Sequence, residues 1–202
     1  MPLLYRILDQ VDSVSGKLYF VIGPSGSGKD SLIGYAKACL DRSDGVLFPR
    51  RFITRPPDGR CEQHIPLNKE QFLKRAERGE FLMCWQAHSL SYAIDKSVLA
   101  DLRAGFNVVI NGSRAYLEEA RVRVPELVPV VVTAPEKILL ERLQARQCES
   151  ESELEIKERL QRARKYDCCG IEGAICFHND RDIKDIGREF CQMLVREHAV
   201  AG

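Results

Sequence analysis

Seven consecutive residues, Gly23-Pro24-Ser25-Gly26-Ser27-Gly28-Lys29, carry the strongest chemical signal in this chain. Glycines at that spacing let the backbone wrap closely round phosphate oxygens with its N–H groups pointing inward. A helix starting directly afterwards adds its positive end. Lys29 closes the run as a point charge for the β- and γ-phosphates of a nucleoside triphosphate. Such a loop works only between a strand and a helix, and both are legible. Lys17-Leu-Tyr-Phe-Val-Ile22 reads as a buried strand, and Leu32, Ile33, Ala36, Cys39 and Leu40 fall on one helical face. Gly23 to Lys29, with Asp30 and Ser31, are therefore the expected ATP-binding residues.

One position departs from the usual pattern. The residue after such a lysine is ordinarily Ser or Thr, whose hydroxyl binds magnesium; here it is Asp30, followed by Ser31. A carboxylate is also a hard oxygen ligand, so Asp30 could hold magnesium directly or through water. Alternatively, it only favours the helix N-terminus. A second oddity matches the first. P-loop enzymes usually end a neighbouring strand in an acid that helps hold the metal, but Val108-Val-Ile110 runs into Asn111-Gly-Ser113. The expectation is that the missing acid has been relocated to Asp30, with Asp30, Ser31 and Asn111 forming the metal group.

Further elements must position this chemistry. Asn68 with Gln71 reads as a capping pair opening a helix through Phe72, Leu73 and Ala76 that closes near Gly79. Phe81 to Trp85 reads as a short strand, and Asp95 as the cap of a helix carrying Val98, Leu99 and Leu102, ended by Gly105. Phe106 to Ile110 and Leu127 to Thr133 are apolar strands; Pro129 argues that the second pairs fully only beyond that point. Pro135 suits the first position of a helix through Ile138, Leu139 and Leu143. A charged helix follows over about 151–165, then a strand from Ala174 to Phe177. Ile183, Ile186, Phe190 and Leu194 mark a last amphipathic helix. Strands alternating with helices imply an α/β, three-layer fold with a mostly parallel central sheet. Residues 1–16 are expected as an N-terminal extension of a single domain over 17–202. Residues about 50–93 break the alternation and are the expected acceptor-binding insertion.

Composition narrows the function classes. Hydrophobic residues are 45% of the 202 and charged residues 29%, a balance that fills a core. Thirty basic residues stand against 29 acidic ones, which gives no reason to expect a nucleic-acid or membrane surface. Apolar runs fall short of the roughly 18 residues that span a bilayer, and Met1 to Gln10 lacks the apolar core of a signal peptide. The eight cysteines form no CxxC pair and are expected as reduced thiols of a cytoplasmic enzyme. Protein partners are not legible.

At this point the chain resembles a family. The P-loop, then Thr54-Arg55, Glu80-Phe81-Leu82, His88 and Tyr92 follow the order of guanylate kinases. So do Arg142-Leu-Gln-Ala-Arg146, Arg159-Leu160 and His178-Asn-Asp180. The resemblance, from about 17 to 195, implies a guanylate-kinase-like fold with a mobile lid over about 144–160. Glu149, Glu151, Glu153 and Glu155 lie in that segment and read most simply as a solvated helical face, though its position between Arg146 and Arg159 also suits a lid. Where guanylate kinases place base-reading glutamates, this chain has Met83 and Gln86, and His64 replaces an expected tyrosine. A thioether cannot accept the guanine N–H donors as a carboxylate does.

A narrower resemblance, to the ribose 1,5-bisphosphate phosphokinases linked to phosphonate breakdown, accounts for the departures. Its pattern includes Gly28-Lys29-Asp30-Ser31, Arg51-Phe-Ile-Thr-Arg55, His64-Ile65, Trp85 with His88, and Asn111-Gly-Ser-Arg114. It implies transfer of the ATP γ-phosphoryl group, with magnesium, to a sugar bisphosphate, giving 5-phosphoribosyl 1-diphosphate. Lys29, Arg146 and Arg159 are then the expected catalytic residues, and Arg142 joins the ATP site. Arg51, Thr54, Arg55, His64, His88 and Arg114 are the expected acceptor residues, with Arg60 a further candidate. The histidines read equally as structural, any single arginine as a surface charge, and Asn179-Asp180 as an adenine contact or a plain turn. Two alternatives stay open: a nucleoside monophosphate kinase, and a non-catalytic guanylate-kinase-like binding module.

Overall fold

A computed structural model describes residues 15–56, 64–87, 89–145, 161 and 170–196. Five parallel strands form the core sheet in the order β2-β7-β1-β8-β9. They are β1 (Leu18–Ile22), β2 (Val46–Leu47), β7 (Asn107–Asn111), β8 (Val128–Thr133) and β9 (Ile175–His178). Every residue of β1 is buried, as an apolar run without alternation requires of a central parallel strand. Its side chains feed two separate cores. Leu18, Phe20 and Ile22 pack with α3 (Val98–Arg103) and α4 (Leu117–Arg123), while Tyr19 and Val21 pack with α1 (Lys29–Cys39) and the C-terminal helix Ile183–Arg196. These are the three expected layers.

Four further strands make a second sheet in the order β4-β3-β6-β5, comprising β3 (Phe52–Ile53), β4 (Ile65–Pro66), β5 (Phe81–Ala87) and β6 (Leu90–Asp95). This sheet is the segment that interrupts the alternation. Its core is aromatic: Phe72 of α2 (Lys69–Glu77) and Phe52 both lie against Phe81, at 5.1 and 5.5 Å between ring centroids. Arg75 stacks on Phe52 and reaches Glu80 at 2.6 Å and Asp95 at 3.1 Å, tying helix to sheet. The Asn68–Gln71 capping box is formed as expected.

Several sequence expectations need correction. β6, β3 and β4 were not legible, because short paired strands carry too few residues for a period to register. Asp95 ends β6 instead of capping α3: its carboxylate accepts from Ser97 N at 2.9 Å, and Ser97 is the cap. The expectation at Pro129 holds: Val128 and Pro129 pair with β1 alone, and β8 is paired on both sides only from Val130. The helix at Pro135 begins one residue later, as α5 (Glu136–Ala145). The expected helix over 151–165 lies, except for Gln161, outside the described residues, as do nearly all of the N-terminal extension and the lid segment. Among the described residues no helix is long and apolar enough to cross a membrane.

Candidate active site

The glycine-rich loop joins β1 to α1 at the C-terminal edge of the core sheet. Gly28 sits at φ +85°, a left-handed conformation that disfavours any Cβ. A Cβ there would also fall 2.0 Å from Asn179 Nδ2. Asn179 is buried, donates to Ser27 O at 2.7 Å, and is itself held by Thr133 O at 2.7 Å through its backbone N–H. Arg142, on α5, donates to Gly26 O, Ser27 O and Asn179 O, each at 3.3 Å. Side-chain donors thus satisfy the carbonyls of Gly26 and Ser27 and fix the shape of the loop. Arg142, expected at ATP, is bonded to the expected ATP-binding loop, and Asn179, read as an adenine contact or a plain turn, is bonded to that loop as well. Lys29 is half-buried and makes no hydrogen bond or ion pair among the described residues.

The two oddities of the sequence meet in space. Asn111 Nδ2 donates to Asp30 Oδ1 at 2.5 Å. Asn111 Oδ1 is buried without a hydrogen-bond partner among the described residues. A buried, unsatisfied carbonyl oxygen beside an exposed carboxylate suits a hard cation, which both oxygens can ligate directly or through water. The residues therefore fit magnesium. Ser31, the third expected member, is exposed on α1 one position beyond Asp30.

Arg51 connects this corner to the second sheet. Its Nη1 donates to Asn111 O at 2.8 Å, and its guanidinium lies 5.1 Å from the Tyr92 ring centroid. Tyr92 stacks on Trp85, and Trp85 on Tyr116, at 5.5 and 5.4 Å. Thr54 exchanges two hydrogen bonds with Ser91, accepting from its N–H at 2.8 Å. The His64 ring nitrogen Nε2 lies 3.0 Å from Arg55 O, so the histidine organises the Arg55 segment. Arg55 and Arg114 are half-buried, Arg114 opening the 3-10 turn beyond β7. His88, Arg60, Arg146 and Arg159 lie outside the described residues.

A cavity of about 500 Å³ opens between the second sheet and α4. Thr54 and Ser91 line it from one side, Trp85 and Gln86 from β5, and Ser113 and Tyr116 from beyond β7. Met83, at 1% exposure, is core and cannot read an acceptor. Glu119 and Arg123 of α4, with Lys69 of α2, complete the wall. Sequence reasoning missed these last residues. The available signal was the spacing of Tyr116, Glu119 and Arg123, one helical face directly downstream of the presumed metal strand.

Burial pushes the Tyr116 phenol up to about 12, with the Arg123 guanidinium pulling the other way. In an unfolded chain a tyrosine ionises near 10. The folded state holds the proton more tightly, so its contribution to stability is complete below pH 10 and is lost as pH rises towards 12. Denaturant melts at pH 8 and at pH 12 test this. Relative to its own stability at pH 8, Tyr116→Phe should retain up to about 2 kcal/mol more at pH 12 than the native chain. Equal losses in both would overturn the assignment.

No family model matches the chain. Curated sequences do. A ribose 1,5-bisphosphate phosphokinase of Thiobacillus denitrificans is 41% identical over 180 residues, covering 89% of this chain and 93% of its own. Its counterpart in Klebsiella pneumoniae is 40% identical over 187 residues, covering 91% and 95%. Among solved structures, guanylate kinase from Anaplasma phagocytophilum matches with a TM-score of 0.60 at 14% identity, over 94% of this chain and 89% of its own. That likeness concerns the fold alone.

Proposed function

The chain belongs to the ribose 1,5-bisphosphate phosphokinase family, and from that membership we propose that it moves the γ-phosphoryl group of ATP onto the 1-phosphate of ribose 1,5-bisphosphate. The products are 5-phosphoribosyl 1-diphosphate and ADP. The observation that carries the reading is the 41% identity sustained over 89% of the chain. The Asp30–Asn111 contact adds support, since it makes one arrangement of two separate departures from ordinary P-loop sequences.

The nucleophile is a phosphate oxygen that is already ionised at neutral pH, so no general base is required. The barrier lies in bringing two polyanions together, which positioning and charge neutralisation overcome. The loop N–H groups and Lys29 hold the donor's terminal phosphates. Arg142 and Asn179 keep the loop in shape from behind. Asp30 and Asn111 would hold magnesium, which when bound would supply neutralisation of phosphate charge. Arg51, tied to Asn111 O, stands where the acceptor sheet meets that corner. Thr54, Arg55 and Arg114 complete the acceptor's phosphate site, and His64 orients Arg55. Arg146 and Arg159, expected from the family order, would add further positive charge. The setting proposed is the cytoplasm.

The test is ADP release by the purified protein with magnesium and ATP, comparing ribose 1,5-bisphosphate, GMP and no acceptor. Turnover with the bisphosphate alone is the expected result. Turnover with GMP alone would overturn the acceptor. Nucleotide binding without any turnover would favour a non-catalytic module.

A further inference from the structure

We propose that Arg123 receives the acceptor's second phosphate, the one on carbon 5, at the end of the cavity away from the reacting corner, and so selects bisphosphates over monophosphates. The inference rests on the acceptor reading above. A sugar bisphosphate carries two dianions. One must sit by Asn111 and Arg51, where transfer occurs; the other needs a cation elsewhere on the cavity wall.

Arg123 meets that need by position. Tyr116, Glu119 and Arg123 line the same cavity at intervals of three and four residues. Seven residues along a helix span about 10 Å, and helical side chains lean towards the N-terminus. The guanidinium is thus carried back over the cavity from its far end. Its field reaches both the Tyr116 hydroxyl and the Cys84 thiol, whose ionisation it eases against the opposing effect of burial.

The bonding state of Arg123 points the same way. It is half-buried, yet it makes no hydrogen bond or ion pair among the described residues. Its neighbour Arg121 donates to Glu172 O, and Arg75, Arg181 and Arg188 each reach a carboxylate at 2.6–2.8 Å. A guanidinium partly withdrawn from water without a counter-ion is costly unless an anion arrives, and its planar fork matches a phosphate. Lys69 of α2 lines the same cavity as an exposed second cation. Glu119, one helical turn before Arg123, can accept hydrogen bonds from the sugar hydroxyls.

Two measurements separate this inference from the reading beneath it. Calorimetric titration of the wild type, Arg123→Gln and Arg123→Lys with ribose 1,5-bisphosphate and with ribose 1-phosphate tests the inference. Wild-type turnover of the bisphosphate tests the reading. Arg123→Gln should weaken bisphosphate binding roughly 10- to 100-fold, the worth of a charge-assisted hydrogen bond, and leave ribose 1-phosphate binding and KM for ATP unchanged. Arg123→Lys should fall between. Equal weakening for both acceptors, or none for the bisphosphate, would overturn the role of Arg123. A wild type that binds the bisphosphate in an Arg123-dependent way but does not turn it over would keep the site and refute the reaction.

Discussion

Replacing Lys29 with alanine is expected to lower turnover by about a thousandfold while leaving the melting temperature almost unchanged. The two halves of that expectation have separate causes. Lys29 is half-buried and engages no described residue, so its removal breaks nothing that holds the fold; such substitutions usually stay within about 0.5 kcal/mol. Its charge is instead placed where negative charge must be gathered during transfer. Deleting one preorganised electrostatic contact of that kind costs about a hundred- to a thousandfold, and a full charge belongs at the upper end. Steady-state ADP release and a thermal melt on the same preparation check both halves. Retained turnover would remove the loop from the chemistry. A large fall in melting temperature would assign the lysine to the fold.

The second large effect is expected at the Asp30–Asn111 pair. Asp30→Ser leaves the corner without a carboxylate, and magnesium-dependent activity should fall by about a hundredfold. Asn111→Asp alone sets a second carboxylate where an amide now donates at 2.5 Å. Two like charges at that separation disfavour full ionisation, so this variant should also lose activity at neutral pH. The double variant moves the acid back to the strand and puts a hydroxyl after the lysine. It should outperform either single variant, with a coupling of about 1–3 kcal/mol in kcat/KM. Magnesium titrations should show the same order in apparent metal affinity. Additive losses would sink the idea that the acid has been relocated.

How far the sequence foretold this arrangement varied with the physics behind each signal. β1, the loop and α1 were legible because a buried strand, a glycine spacing and a helical stripe occur together within 25 residues. Asp30 and Asn111 stood out in the sequence as two anomalies, although nothing in it could say that these residues, 81 positions apart, touch. Of the second sheet only β5 was legible as a strand, the rest showing as a break in the alternation, since strands of two residues such as Phe52–Ile53 have no period to read. That Arg142 and Asn179 both bond to the loop's carbonyls could not be read in advance, because a residue type does not reveal which oxygens it will meet. The cavity's far wall was missed altogether: Arg123 lies on a short helix whose charged face looks like ordinary surface until a sheet is folded opposite.

The tie between Asn179 and Ser27 spans 152 positions of the chain. A ribosome releases Ser27 early and Asn179 near the end, so the nascent protein carries its nucleotide-binding motif long before it has the residue that shapes it. ATP can therefore bias the folding equilibrium only once the last strand has docked. On the kinase reading, a growing chain would thus gain no protection from the nucleotide until synthesis has passed the final strand.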